Sequence, residues 1–444
     1  MAERQAGESS QEQQEAQVKI AFHIGRANYF RPLGPLIDAA LHDHEVELWV
    51  NETRDAQILK GNPPLSRESV PITGGQFAYR PYCDKATLRD ILESSPGTAI
   101  VDIAPLPYGL RKHVPASSTF CYLQCGMDII PDIMRPDFEN LNPDLILFYS
   151  KHWQDTLTSI LHDRRYGNFS DTLAMLTCSS ACVGWGQMDQ VVSFDRERIL
   201  EKYDLPKDKP IVVLAAYPYA SNPRTAWDFC YKHDNQLIRH LWGLAHGRLG
   251  RVLAHPDQTT DRRVAAALRA FCARNDAVLI IKYRTKDPVP GYFAEVAHRL
   301  IGDESHYPSN FMEVLSVADL SLSFCSTSVL ESSACGCPHI CLDISEDPEL
   351  RARVPFFESF WPRSDSQGIF NFPGVCYAMN IRDAVTELPH KSLDDFPLLS
   401  RQHEQYCRDY LGSTDGGNCA RILEAIRLHR ERTLPRDAES SGEA

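Results

Sequence analysis

The stretch that most constrains the fold is residues 318–343, where a hydroxyl-rich loop and a helix join two short strands. Leu320 to Phe324 is predicted as the first strand and His339 to Leu342 as the second, because both are short apolar-rich runs bounded by turn residues. Gly336 and Pro338 end the helix, since neither suits a helix interior. A strand, a helix and a second strand in direct succession predict a parallel sheet covered by helices.

The loop of this unit carries hydroxyl groups at the predicted start of the helix. Ser326, Thr327 and Ser328 follow the first strand, and Glu331 lies one turn further on. Hydroxyls and free backbone N–H groups at a helix N-terminus form a phosphate site, and a carboxylate one turn away can reach a ribose hydroxyl. The spacing Ser328-x-x-Glu331 is also that of a capping box, in which both side chains only satisfy N–H groups of the helix. The residues alone leave both interpretations open.

Strands and helices alternate through the rest of the chain as well. Further strands are predicted at Val18–His23, Glu45–Val50, Thr98–Ile103, Thr119–Leu123 and Asp144–Tyr149. The polar, proline-bounded segment Leu205–Pro210 interrupts the pattern, which restarts with strands at Ile211–Ala215 and Ala277–Lys282. The fold class is therefore predicted as α/β, with two Rossmann-like, doubly wound domains that face a central cleft.

The breaks in this pattern predict the domain boundaries. An N-terminal domain covers 18–190, a hinge covers 191–210, a C-terminal domain covers 211–390, and a helical segment covers 391–432. Residues 1–17 and 433–444 are polar and lack any periodicity, which predicts disordered tails.

Composition argues against several classes of protein. The 444 residues, of which 43% are hydrophobic, are enough for two cores. The net charge of −13 and the lack of a long basic run argue against nucleic-acid binding. The 14 cysteines lack the paired spacing of a zinc site, and neither a signal peptide nor an apolar membrane span is recognised. We therefore expect a reduced, cytoplasmic protein without a metal ion.

Ligands of open parallel sheets bind beyond the carboxyl ends of the strands, so polar residues at those positions are candidate site residues. His23, Gly25 and Arg26 follow the first predicted strand. This loop is not a GxGxxG sequence, which disfavours a dinucleotide-dependent oxidoreductase. His23 is a candidate general base because imidazole titrates near neutral pH, and a hydrogen-bonded structural histidine is the alternative.

Three further loops carry candidate residues. Gly126 permits a tight turn or the close approach of a ligand, and Asp128 is a second candidate base. Lys282 and Arg284 at the end of a strand can neutralise a diphosphate, and a solvated loop is the alternative. Asp415-Gly416 opens the last predicted helix, where an ordinary N-cap is the alternative.

Several segments, in chain order, resemble motifs of one group of enzymes. They are Thr119–Gly126, Asp144–Ser150, Cys182–Asp189 with its Gly-x-x-x-x-Asp spacing, Ala318–Pro338 with its Ser-Thr-Ser-x-x-Glu core, and Tyr410–Arg421, which is similar to a closing Asp-Gly…Ala-x-Arg segment. Over roughly residues 18–430 the chain resembles GT-B-fold glycosyltransferases, and among them the CDP-glycerol glycerophosphotransferases of surface-polysaccharide synthesis. It is more distantly similar to the non-hydrolysing UDP-N-acetylglucosamine 2-epimerases.

The resemblance implies a transferase that moves a glycosyl or polyol-phosphate group from a nucleotide-activated donor to a cell-envelope saccharide or a lipid-linked acceptor. It implies that no cofactor is required, and it leaves peripheral membrane association possible. The C-terminal domain would hold the donor and the N-terminal domain the acceptor, with His23 or Asp128 as the base. The implied donor-binding residues are Gly25, Arg26, Gly126, Lys282, Arg284, Ser326, Thr327, Ser328, Glu331, Asp415 and Gly416.

The chain departs from the family pattern at two positions where histidines are expected. Cys125 precedes Gly126, and Tyr283-Arg284 stands in place of a Lys-Pro-His-Pro run. Two alternatives therefore remain: an epimerase that acts on the same donor without an acceptor, and a catalytically silent nucleotide-binding or scaffold protein. The sequence leaves the nucleotide base, the sugar, the acceptor and the oligomeric state open.

Overall fold

The computed structural model describes residues 18–58, 64–107, 109–126, 143–162, 170–215, 256–283, 289, 291–302, 306–324, 326–343 and 368–433. These residues divide into two compact units. The first consists of the described parts of Met1–Ser193, Ser305–Ser309 and Arg408–Ala444. The second consists of the described parts of Phe194–Glu304 and Asn310–Cys407.

Seven strands of the described chain form the sheet of the first unit, and all of them pair in parallel. They are β1 (Lys19–Ile24), β2 (Glu45–Asn51), β3 (Ala78–Tyr82), β4 (Ala99–Asp102), β5 (Thr119–Leu123), β6 (Leu145–Phe148) and β7 (Ser180–Cys182). Their order across the sheet is β3-β2-β1-β4-β5-β6-β7. The strand order therefore reverses between β1 and β4, which is the usual ligand position in sheets of this kind.

The sheet of the second unit follows the same plan with six described strands, again all parallel. They are β8 (Ile211–Ala215), β9 (Val278–Lys282), β10 (Arg299–Ile301), β11 (Leu320–Phe324), β12 (His339–Asp343) and β13 (Cys376–Asn380). Their order is β10-β9-β8-β11-β12-β13, so the reversal lies between β8 and β11.

Helices connect the strands and cover both sheets. The first unit contains α1 (Phe30–Asp43), α2 (Arg54–Ile58), α3 (Lys85–Glu93), α4 (Lys151–His162) and α5 (Ser170–Cys178). The second contains α6 (Arg196–Lys202), α7 (Pro256–Arg274), α8 (Gly291–Ala294), α9 (Asn310–Ser316), α10 (Ser328–Ala334), α11 (Ile381–Thr386) and α12 (Ser400–Tyr406). A π-helical turn, Cys407–Leu411, leads to α13 (Asn418–Thr433), which belongs to the first unit.

Different helices cover the two faces of the first sheet because side chains alternate along each strand. Ile20, Phe22 and Ile24 of β1 pack in a cluster with apolar residues of α1 and α13. Ala21 packs on the opposite face, in a second cluster to which α3 contributes Leu88. Burial on both faces explains why the central strands are nearly continuous apolar runs in the sequence.

The second sheet is buried on both faces in the same way. Val212 and Leu214 of β8 pack with α7 and α11, whereas Ile211 and Val213 pack with α6 and α9. The segment 191–210, predicted as a hinge, contains α6, and that helix is part of the core of the second unit.

The start of α13 is bound by the 3-10 segment Gly186–Ser193. The Asp189 carboxylate accepts hydrogen bonds from the backbone N–H groups of Asn418 (3.2 Å) and Cys419 (2.7 Å) and from Asn418 Nδ2 (2.8 Å). A carboxylate there satisfies free N–H groups and meets the positive end of the helix dipole. Gly184 has a φ of +86°, and a Cβ at this position would lie 1.8 Å from Asn418 Oδ1. A side chain at position 184 is therefore incompatible with this packing.

The structure confirms the predicted fold class, since both units are doubly wound parallel sheets. The four strands that the sequence did not predict are β3, β7, β10 and β13, which are the edges of the two sheets. The segment predicted over 391–432 divides between the units after Cys407. The tails predicted over 1–17 and 433–444 lie outside the described residues, apart from Thr433. No helix in the described ranges is both long enough and apolar enough to cross a membrane.

Candidate functional site

Four neighbouring strands of the first sheet bring polar side chains to the same edge and the same face. His23 lies near the end of β1, while Asn51, Tyr82 and Asp102 end β2, β3 and β4. Their chain neighbours Phe22, Val50 and Val101 pack in the cluster with α1, so His23, Asn51 and Asp102 project from the opposite face. Tyr82 belongs to the cluster on that opposite face. We call these four residues the strand-end chain.

His23 and Asp102 form a close, buried pair where the strand order reverses. Phe22 pairs with Val101 between β1 and β4, which brings the two following residues side by side. His23 Nδ1 lies 2.5 Å from Asp102 Oδ2, and Asp102 Oδ1 accepts the backbone N–H of Ala104 at 3.0 Å. His23 is 4% exposed and Asp102 is 0% exposed. A buried carboxylate in this position orients an imidazole and stabilises its protonated form.

Tyr82 occupies the other ring nitrogen of His23. Its hydroxyl lies 2.6 Å from His23 Nε2, and the two rings are stacked with their centroids 5.6 Å apart. Asn51 is the register partner of Tyr82 between β2 and β3. Burial raises the pKa of Tyr82, the hydrogen bond with Asn51 opposes this rise, and the charge of Asp102 adds to it. The phenol is therefore a neutral proton donor near neutral pH.

The loop after β1 is held by the ring of Tyr29 and by Asp55 of α2. A Cβ at Gly25 would lie 3.2 Å from Cε2 of Tyr29, so the backbone packs closely on this ring. Burial, and then the charge of Asp102, raises the pKa of Tyr29. Arg26 Nε donates to Asp55 Oδ1 at 3.2 Å. The carboxylate partner of Arg26 thus lies on α2.

Gly126 forms a tight turn after β5. Its φ is +58°, a conformation that glycine adopts most readily. Its N–H donates to Tyr149 Oη at 2.8 Å, and its carbonyl accepts from Gln124 Nε2 at 2.9 Å. Asp128, the second candidate base, lies outside the described residues.

In the second unit, Ser326 and Thr327 lie between β11 and α10, and Ser328 is the first residue of α10. Thr327 precedes the helix without a side-chain capping bond, and the N–H of Ser328 donates to Ser326 Oγ at 3.3 Å. Ser328 Oγ is buried and has no hydrogen-bond partner among the described residues. Ser328 is a helical residue here and not the N-cap, so the described residues do not form the capping box. Glu331 is buried on the same short helix.

Lys282 ends β9 and is 9% exposed. Its Nζ donates to the carbonyl oxygen of Tyr283 at 3.3 Å. Arg284, its predicted partner in diphosphate binding, lies outside the described residues.

A second buried histidine, which the sequence analysis did not single out, lies under α10. His339 is 0% exposed, and its Nδ1 lies 2.8 Å from Ser321 Oγ and 3.1 Å from Ser332 Oγ. Its Nε2 lies 2.8 Å from Ser323 Oγ. Burial lowers the pKa of His339 from 6.5 to about 3. This imidazole is therefore neutral near neutral pH and joins two strands to a helix.

Asp415 and Gly416 lie in the loop that leads into α13. Asp415 binds the guanidinium of Arg421 through both carboxylate oxygens, at 2.8 and 2.9 Å, and accepts the N–H of Gly417 at 2.9 Å. The hydrogen bond from Arg421 holds the pKa of Asp415 well below its usual range. Gly416 has a φ of +76°. These bonds hold the loop against the first turn of α13.

The structure places the predicted residues in separate groups. His23, Gly25 and Arg26 lie together after β1, and Ser326, Thr327, Ser328 and Glu331 lie together after β11. Sequence reasoning missed Asn51, Tyr82 and Asp102, although each of them is a polar residue at the end of a strand. No group of three or more His, Cys, Asp or Glu residues in the described ranges is arranged to hold a metal ion.

Comparison with known proteins gives matches in structure and none in sequence. No protein-family model matches the chain, and no curated protein matches its sequence. A histidine-to-alanine variant of the wall teichoic acid polymerase TagF matches with a TM-score of 0.52 and 10% identity, over 94% of this chain and 90% of that chain. MnaA of S. aureus, solved with UDP, matches with a TM-score of 0.51 and 13% identity, over 93% and 97%.

A third match is a Listeria monocytogenes protein with a provisional assignment as a UDP-N-acetylglucosamine 2-epimerase. Its TM-score is 0.50 at 12% identity, over 94% of this chain and 98% of that chain. At such low identity these matches show a shared fold and no more. The fold they share is GT-B-like, with two Rossmann-type domains, which confirms the resemblance drawn from the sequence.

Proposed function

We propose that the chain transfers a glycosyl or polyol-phosphate group from a nucleotide-activated donor to a cell-envelope saccharide or a related acceptor. The observation that carries this proposal is the buried arrangement of Asp102, His23 and Tyr82 where the strand order of the first sheet reverses. Transfer to a hydroxyl requires a group that takes the hydroxyl proton as the new bond forms. An imidazole held between a carboxylate and a phenol is suited to that task.

The proton passes along the strand-end chain in this proposal. Both ring nitrogens of His23 are engaged, so the acceptor proton moves to the Tyr82 oxygen while the phenol proton moves to His23 Nε2. The product is an imidazolium next to the Asp102 carboxylate, and the phenol is neutral again. The carboxylate therefore balances the charge that the transfer creates.

The second unit would bind the donor. Ser326, Thr327 and Ser328 lie beyond the carboxyl end of β11, and the buried hydroxyl of Ser328 has no partner among the described residues. Lys282 ends a strand of the same sheet and supplies a positive charge. These groups suit the phosphates of a nucleotide, which would leave as a diphosphate stabilised by charge and position. No cofactor is required in this scheme.

The fold supports the same substrate class. TagF was solved after soaking with CDPG, and MnaA was solved with UDP. Both neighbours thus carry nucleotide ligands on two-domain folds of this type.

A binding screen and a transfer assay together test the proposal. We expect UDP, CDP, GDP or ADP to raise the melting temperature, because a ligand at 100 times its Kd stabilises a protein by about 2.7 kcal/mol. With CDP-glycerol or UDP-N-acetylglucosamine as the donor and saccharides as acceptors, His23→Gln should lower kcat by about 10²- to 10⁴-fold. His113→Gln is the matched control, because His113 Nδ1 also pairs with a carboxylate, that of Glu93 at 2.7 Å, but at the surface. Equal turnover of the two variants would refute the role of His23.

A nucleotide-sugar 2-epimerase is the second candidate. The observation in its favour is the presence of two groups that can exchange protons, Tyr82 and His23, on one buried hydrogen-bonded chain. Epimerisation needs proton exchange at a carbon and no acceptor. Conversion of UDP-N-acetylglucosamine without any acceptor, with solvent deuterium entering the sugar, would favour it. A nucleotide that binds but is never turned over would instead favour a catalytically silent binding protein.

A further inference from the structure

The core beneath α10 is polar, although β11 and β12 are both inner strands of the second sheet. Ser321 and Ser323 alternate along β11 with leucines that pack in the apolar cluster on the opposite face. His339 of β12 is the register partner of Ser321 and lies on the same face as the two serines. Inner strands of parallel sheets are normally apolar on both faces, so these polar residues call for an explanation.

The hydrogen bonds of this core lead to the first residue of α10. Ser332 Oγ lies 2.8 Å from the carbonyl oxygen of Ser328, and it must be the donor there because a carbonyl only accepts. The oxygen of Ser332 can then only accept from its other neighbours, Ser321 Oγ at 2.8 Å and His339 Nδ1 at 3.1 Å. The donors on the strands therefore point toward the helix.

The contacts of His339 fit the same direction. If Nδ1 only accepted, it would compete with Ser332 for the single hydroxyl proton of Ser321, which lies 2.8 Å from both. With Nδ1 as a donor, Nε2 accepts from the hydroxyl of Ser323 at 2.8 Å, and every proton has an acceptor. The hydrogen bonds form one chain from Ser323 through His339, Ser321 and Ser332 to the carbonyl oxygen of Ser328.

The start of α10 depends on this chain because it has little other support. The helix has only 7 residues, too few to be stable by itself, and Thr327 precedes it without a side-chain capping bond. The bond from Ser332 holds the carbonyl of Ser328 and thereby the first turn of the helix. The hydroxyl of Ser328 is buried and has no partner among the described residues, which leaves it for an oxygen of a ligand.

We infer that His339 is a positioning residue for nucleotide binding. Through Ser321 and Ser332 it fixes the first turn of α10, and with it the hydroxyl of Ser328 that would donate to a phosphate oxygen. An apolar core would avoid the cost of burying polar groups, but it would not hold the carbonyl of Ser328 in one direction. The effect on binding rests on the proposed function, whereas the geometry of the hydrogen bonds does not.

Two serines of α10 provide a matched pair of variants. Ser332→Ala interrupts the chain, whereas Ser333→Ala removes a hydroxyl that is equally buried but has no hydrogen-bond partner among the described residues. Calorimetry uses whichever of UDP, CDP, GDP and ADP binds the wild type most tightly. Ser332→Ala should raise the Kd of that nucleotide by about 3- to 10-fold, and Ser333→Ala should leave it unchanged.

Further variants test whether the effect passes along the chain. In the Ser328→Ala background, Ser332→Ala should raise the Kd no further, because the hydroxyl that it positions is missing. His339→Leu should weaken binding as Ser332→Ala does. His339→Asn should restore part of the affinity, since its amide nitrogen branches at the same point as Nδ1 and can donate to Ser321.

Hydrogen exchange followed by mass spectrometry tests the chain without any ligand. Peptides that cover α10 should exchange about 3- to 10-fold faster in Ser332→Ala than in Ser333→Ala, because the first turn opens more often. Failure of the proposed function would appear separately, as a wild type that binds none of the four nucleotides although its α10 peptides respond as expected.

Several results would overturn the inference. They are equal exchange of the α10 peptides in the two variants, equal Kd values of Ser332→Ala and Ser333→Ala, and unchanged affinity in His339→Leu. An effect of Ser332→Ala that is undiminished in the Ser328→Ala background would also overturn it, because the chain would then not act through the hydroxyl of Ser328.

Discussion

Acid should destabilise the second unit through His339, and the size of the effect follows from its burial. The imidazole is 0% exposed among three serine hydroxyls, and burial lowers its pKa from 6.5 to about 3. The unfolded chain therefore binds a proton at this site below about pH 6.5, whereas the folded chain does not until about pH 3. Stability rises with pH wherever the unfolded state holds more protons, so it is lost as the pH falls through this window.

The expected magnitude is large enough to measure. A full shift from 6.5 to about 3 corresponds to about 5 kcal/mol at low pH, at 1.36 kcal/mol per unit. Between pH 6.0 and pH 4.5, the part of the window where most carboxylates are still charged, His339 should lower the free energy of unfolding by about 2 kcal/mol.

Urea unfolding of the full chain at these two pH values, followed by circular dichroism, measures the effect. His339→Gln cannot titrate, so its free energy of unfolding should fall by about 2 kcal/mol less than that of the wild type over the same interval. His390→Gln removes an exposed imidazole of the same unit and should behave as the wild type. The reasoning is wrong if the wild type and His339→Gln lose the same stability between pH 6.0 and pH 4.5.

Three further predictions concern single contacts. Replacing Thr327 and Ser328 by Ala should weaken nucleotide binding, measured by calorimetry, by about 1–3 kcal/mol. The melting temperature should change little, because Thr327 makes no capping bond. A loss of stability with unchanged affinity would show a purely structural role. Asp189→Ala leaves the first N–H groups of α13 without their acceptor and should lower the free energy of unfolding in urea by about 1–3 kcal/mol. Equal stability of the variant and the wild type would exclude capping by Asp189. Gly184→Ala and Gly97→Ala both place a side chain at positive φ, but only the new Cβ at position 184 has a neighbour within 4 Å. Gly184→Ala should therefore lower the free energy of unfolding in urea by about 1–3 kcal/mol more than Gly97→Ala. Equal losses would contradict the packing of Gly184 against Asn418.

The sequence predicted the inner strands of both sheets and none of their edges. Inner strands such as β1 and β8 are buried on both faces and are therefore apolar runs that can be recognised. The edge strand β3 reads Ala-Tyr-Arg-Pro-Tyr, and β10 has only three residues. Edge strands are short and carry polar residues or proline, so they lack the pattern by which strands are identified.

The same difference between inner and edge strands explains why only part of the candidate site was predicted. His23 was recognised because it is polar at the end of an apolar strand. Asp102 lay inside a predicted strand, Thr98–Ile103, that extended one residue too far. Tyr82 ends an edge strand that was not predicted at all. Only the strand order, in which β1 lies between β2 and β4, brings these residues together, and a single sequence does not contain that order.

Because α13 packs in the first unit, that unit cannot complete its fold until the end of the chain has been synthesised. Ile422 and Ile426 lie in the same core cluster as Ile20 and Phe22 of β1, although the chain emerges from the ribosome with Phe194–Cys407 in between. At about 5–20 residues per second this delay is on the order of ten to forty seconds. Throughout that time the part of this face that α13 later covers remains exposed, so it is the surface that a chaperone would bind.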